Sequence, residues 1–146
     1  MTEWFISGNF VTNGMNESRF VLDTNAVIFL TTRGNAIHSE LLEELNSADL
    51  FVSVITEIEL LAKPKLLPEE EENLLNLLSE IISVIDLNTS IKKETIVLRR
   101  NSKLKLPDCI IVATAITLNA TLLTADEELL HLDWPGYLKK RLTANK

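Results

Sequence analysis

Four short apolar runs, each parted from the next by stretches of helical periodicity, constrain this chain more than any other feature. Phe20-Val21-Leu22 sits inside the first, residues 19–23; the others are 49–53, 81–86 and 120–123. Each has strand length and is bounded by turn or capping residues. Helical patterning covers 25–31 and 37–46, with a break at Arg33-Gly34-Asn35. It returns from a cap at Ser53 or Thr56 to about residue 62, and then over 68–80, 89–101 and 108–118, with a short helix from 127. Pro68 followed by Glu69, Glu70, Glu71 and Glu72 is a strong helix start, because acids in a first turn offset the positive end of the dipole. Leu74, Leu75, Leu77, Leu78 and Ile81 give that helix one apolar face. Thr24 and Asn25 are good caps for the helix after the first strand. Residues 132–146 give no clear reading.

Strands alternating with helices predict βαβ units with right-handed crossovers. The expected fold is α/β, a three-layer α/β/α sandwich around a central parallel sheet of four or five strands. Residues 1–18, polar and aperiodic, are expected to be an N-terminal extension, and residues 19–146 one domain. Met15, four residues before the first strand, is an alternative start, which would make residues 1–14 an upstream addition.

Composition excludes several classes. With 46% hydrophobic and 24% charged residues, the 146-residue chain has the balance of a folded domain. No apolar run reaches the roughly 18 residues that cross a bilayer, so no membrane association is expected. Residues 1–17 lack the basic and apolar regions of a signal peptide. The single cysteine, Cys109, forms no internal disulfide and reads as a small core residue, so the cytoplasm is the expected location. The net charge of −7 counts against nucleic acid as a partner, but bases concentrate locally in Arg99, Arg100, Lys103 and Lys105 and again in Lys139, Lys140 and Arg141.

In an open parallel sheet, ligands bind outside the carboxyl ends of the strands. Asp23 ends the first strand, and Asp126 follows the fourth by a few residues. Asp108 opens the helix that leads into the fourth strand, so it lies at the same edge. Glu59, about one and a half turns into the helix after the second strand, reaches that edge if its face points inward. Glu57 competes for this place; the two are roughly 200° apart on a helix, and only one can face the site. Clustered carboxylates are costly unless a cation offsets their repulsion. All-oxygen ligands suit Mg²⁺ or Mn²⁺, and no Cys/His pattern suggests zinc.

Phe20-Val21-Leu22-Asp23-Thr24-Asn25 resembles the opening strand of PIN-domain nucleases. Ser53-Val54-Ile55-Thr56-Glu57-Ile58-Glu59-Leu60 is similar to their second motif, in which the acid before Leu is the ligand. Leu106-Pro107-Asp108-Cys109-Ile110-Ile111-Val112-Ala113-Thr114-Ala115 resembles the third, and Leu122-Leu123-Thr124-Ala125-Asp126-Glu127-Glu128-Leu129 the fourth. Each motif alone is weak; four in order over residues 19–131 are a strong signal. In length the chain is most similar to VapC-type toxins of toxin–antitoxin pairs. The resemblance implies a Mg²⁺- or Mn²⁺-dependent endoribonuclease, a homodimer and a cognate antitoxin. It implies Asp23, Glu59, Asp108 and Asp126 as metal-holding catalytic residues; Thr24, Asn25, Thr124 and Glu128 are candidates for the supporting positions just behind them. The Arg99, Arg100, Lys103 and Lys105 stretch leads into Asp108 and is a candidate for holding RNA phosphates. Cys109 stands where the family often has Ala, Leu129 where Phe is frequent, and the N-terminal segment is longer than in a minimal toxin.

Simpler readings exist for each acid. Asp23 and Asp126 could be helix caps, Asp108 a dipole-offsetting acid, and Thr56 with Glu59, or Thr124 with Glu127, a capping box. His38 and His131 read as surface histidines. A haloacid-dehalogenase-like phosphatase would need an acid where Asn25 stands, and a receiver-like domain a Lys after the fourth strand. A PIN-like non-catalytic module that binds nucleic acid or protein is the rival from another class; intact acids argue against it.

Overall fold

The computed structural model describes residues 18–32 and 39–143. Expectations about the N-terminal extension, the Met15 start, the break at residues 33–35 and His38 fall outside them. The described elements are β1 Arg19–Leu22, α1 Thr24–Thr31, α2 Ser39–Asn46, β2 Asp49–Ser53, α3 Val54–Leu61, α4 Pro68–Glu80, β3 Ser83–Ile85, α5 Thr89–Asn101, α6 Leu106–Thr117, β4 Thr121–Thr124, α7 Glu127–His131 and β5 Leu138–Arg141.

The five strands form one parallel sheet in the order β3-β2-β1-β4-β5. Alternation along the strands feeds two cores. Phe20 and Leu22 join Leu50, Val52 and Leu123 on one face, packed with the apolar sides of α1 to α4. Val21 and Leu122 point the other way, into a core with α5 and α6. A parallel sheet covered on both faces needs such runs, apolar on every residue. Helix α6 is buried from Cys109 through Ala115 and forms the inner pillar of the second core. It stops at Asn119, whose φ of 53° lets the Ala120 N–H reach back to the Ala115 carbonyl at 2.9 Å. The chain then turns directly into β4.

The structure decides among the caps that the sequence left open. Asp23, not Thr24 or Asn25, caps α1, since its carboxylate accepts from the Ala26 N–H. Ser53 caps α3, so Thr56 lies inside the helix and forms no capping box with Glu59. Asp126 caps α7 in place of a Thr124–Glu127 box. Strand β3 is shorter than residues 81–86, because Ile81 still closes α4. Strand β5 had no clear signal: its Leu-Lys-Lys-Arg sequence lacks an apolar run, as suits an edge strand exposed along most of its length.

Candidate active site

Chain direction across the sheet reverses between β1 and β4: β2 and β3 lie to one side of β1, β4 and β5 to the other. The crevice at the carboxyl ends of β1 and β4 is where such sheets bind ligands. Asp23 stands there, only 6% exposed. One carboxylate oxygen accepts the Ala26 N–H at 2.8 Å, and the other accepts the hydroxyl of Thr124 at the end of β4. The same Thr124 oxygen accepts the Asp126 N–H at 3.0 Å. A single buried hydroxyl therefore ties two of the acids together. Asp126 accepts in turn from the Glu128 N–H at 2.8 Å.

Glu59 approaches from α3, and its carboxylate accepts the Thr24 hydroxyl at 2.8 Å. The Thr24 hydroxyl also lies 3.3 Å from that of Thr56, which is fully buried. Asp108 projects from the first turn of α6. Burial is the main force raising its carboxyl above the ordinary 3.8, and the charges of Asp126, Glu128, Glu59 and Asp23 add to it. Burial likewise raises Asp23 against the bonds from Thr124 and Ala26, with Asp126 and Glu59 adding to the rise. Glu59 and Asp126 thus both act on Asp23 and on Asp108, and the Asp23 charge also acts on Asp108. Glu57, by contrast, is absent from the charges that act on Asp23 and Asp108.

Glu128 acts on Asp108, while Asn25 is exposed on the first turn of α1. Arg99, Arg100, Lys103 and Lys105 are exposed. Arg99 bears on the Cys109 thiol, next to Asp108, but no ion pair among the described residues joins the four bases to the acids. His131 is exposed and contacts the Glu127 carbonyl at 2.7 Å. Tyr137 is the residue that sequence reasoning missed. Burial, together with Asp23, Asp126 and Asp108, pushes its hydroxyl far above the ordinary 10. Its only sequence cue was a lone aromatic after Trp134-Pro135-Gly136.

The donor set consists of carboxylates and hydroxyls, with no thiolate or imidazole among them, which fits a hard divalent cation. Among the described residues, no group of three or more His, Cys, Asp or Glu side chains forms a ready-made cage. Beside Glu59 a groove of about 500 Å³ opens between α1, α3 and α4, lined by Ile28, Thr31, Leu60, Lys63, Leu66 and Leu74. Among the described residues, no helix is long and apolar enough to cross a membrane.

A family model described as "PIN domain" matches residues 20–135. No curated protein matches the chain. Solved structures similar to it include VapBC2 from Rickettsia felis bound to a DNA fragment from their promoter, at 19% identity and TM-score 0.67, covering 86% of this chain and 99% of that one. A toxin–antitoxin complex from Klebsiella pneumoniae is 26% identical with TM-score 0.62, covering 81% and 94%. VapBC-1 from nontypeable Haemophilus influenzae is 27% identical with TM-score 0.61, covering 75% and 88%.

Proposed function

This chain belongs to the PIN domain family, and on that footing we propose that it is a metal-dependent endoribonuclease, the toxin of a toxin–antitoxin pair. The observation that carries the reading is that Glu59 and Asp126 both act on Asp23 and Asp108 at one sheet edge, where Thr124 bonds to Asp23 and to the Asp126 N–H. These four would hold Mg²⁺ or Mn²⁺. When bound, such an ion lowers the pKa of water and offsets charge on a phosphoryl group undergoing hydrolysis.

The chain's own residues do the rest. Thr124 holds the Asp23 carboxylate and the Asp126 backbone in fixed relation, and the Glu128 N–H orients the Asp126 carboxylate. Thr24 orients Glu59. Glu128 adds negative charge at the Asp108 side. Arg99, Arg100, Lys103 and Lys105 would hold RNA phosphates along the approach to Asp108. The groove beside Glu59, with Ile28, Leu60 and Leu74 in its wall, offers an apolar seat for an antitoxin segment. The toxin–antitoxin structures that the chain resembles support this assignment of partner. A homodimer in the cytoplasm completes the proposal.

The test is cleavage of a panel of structured RNAs by purified protein with Mn²⁺, against an EDTA control. Metal-dependent internal cuts are expected from the wild type. Intact RNA throughout, with no effect of expression on growth, would leave the non-catalytic module as the better reading.

A further inference from the structure

Helix α7, which carries Asp126 at its cap, spans five residues and is closed by a backbone bond from the Leu130 N–H to the Asp126 carbonyl at 3.0 Å. A helix this short has no stability of its own in water, so its position is imposed from outside. Three consecutive acids, Asp126, Glu127 and Glu128, crowd its start, and two of them repel Asp108. Something must hold this arm against the crevice.

Strand β5 and the turn before it do so through three ties. The Arg141 guanidinium pairs with both Glu127 carboxylate oxygens, and the Lys139 ammonium donates to the Leu132 carbonyl. Both ties are exposed, so water and salt weaken them. The third is dry. The Tyr137 hydroxyl donates to the Leu129 carbonyl at 2.8 Å, and the two residues are 8% and 1% exposed. Tyr137 is itself braced. Gly136, with φ +79°, makes the turn, and the Tyr137 N–H reaches the Trp134 carbonyl at 3.1 Å. The Trp134 indole N–H then donates to Glu94 on α5 at 3.1 Å. A continuous chain of contacts runs from α5 through Trp134 and Tyr137 to Leu129 and the helix capped by Asp126.

We infer that Tyr137 is a positioning residue that sets Asp126 for metal through its bond to the Leu129 carbonyl; this rests on the metal-dependent reading above. Tyr137→Phe keeps the ring and deletes the bond. The experiment follows thermal unfolding of the full chain against Mn²⁺ concentration, for wild type, Tyr137→Phe, Ile91→Val as a core-weakened control, and Asp126→Asn with and without Tyr137→Phe. Tyr137→Phe is expected to need about three- to tenfold more Mn²⁺ for half of the full stabilisation. Ile91→Val should lower the metal-free unfolding temperature without moving that midpoint. In the Asp126→Asn background, Tyr137→Phe should add no further shift. A Tyr137→Phe midpoint equal to wild type, or the same shift with Asp126→Asn present, overturns the inference while leaving the metal site standing. Failure of Mn²⁺ to stabilise the wild type overturns both.

Discussion

Asp23 and Glu59 face the same crevice but are held in opposite ways. Asp23 ends the central strand, 6% exposed, with both carboxylate oxygens already accepting hydrogen bonds. Glu59 stands on an exposed stretch of α3 and is oriented by the Thr24 hydroxyl. The buried pole is preorganised and carries a cost: burial resists its charge, so the folded chain is strained electrostatically where the proposed chemistry needs a carboxylate. The exposed pole costs little and can adjust.

The sharpest way to break this contrast is Asp23→Asn. RNA cleavage should fall by about 100-fold or more, while the metal-free variant should unfold at the same temperature as wild type or higher. The pH dependence follows from the same burial. Asp23 and Asp108 are both raised above 3.8, so the folded chain holds protons that the unfolded chain has released. Their contribution to stability is complete below that value and is lost as pH rises through the raised values. Unfolding in EDTA should therefore show stability declining over that interval, and Asp23→Asn should flatten the decline. Equal slopes would contradict the buried-charge account.

Next in size is Thr124→Val. It removes the donor to Asp23 and the acceptor for the Asp126 N–H inside a fully buried position. Calorimetry should show a loss of about 1–3 kcal/mol, and the metal requirement should rise by about tenfold or more. A smaller effect is expected at the exposed pole. Glu59→Gln should raise the Mn²⁺ concentration for half-maximal cleavage by up to about tenfold. Glu57→Gln should leave it within about twofold, because Glu57 does not act on Asp23 or Asp108. Equal effects would return Glu57 to contention. Smallest of all, Arg99→Ala with Arg100→Ala should weaken RNA binding and reduce its log–log salt slope by about 0.7 per lost phosphate contact. An unchanged slope would remove that stretch from the RNA path.

The parallel sheet could be read from the chain because its first, second and fourth strands are buried on both faces and so carry unbroken apolar runs such as Phe20-Val21-Leu22. Convergence of Asp23, Asp108 and Asp126 was also legible, since it needs only chain direction. Strand β5 was not, because an exposed edge strand has no burial to enforce a pattern on Leu138-Lys139-Lys140-Arg141. Capping was left open for a related reason. Thr24 and Asp23 are both competent caps, and the choice depends on where the strand stops. The role inferred for Tyr137 depends on β5 lying beside β4, a pairing between distant residues that local pattern does not report.

On the proposed function, the crevice at β1 and β4 gathers its carboxylates around a divalent cation. Calorimetric titration of the metal-free protein with Mn²⁺ tests it most directly. Saturable binding is expected, tightening as pH rises through the raised carboxyl values because protons compete with the ion, and lost in Asp23→Asn. Binding that is absent from the wild type, or unchanged in Asp23→Asn, would contradict the account.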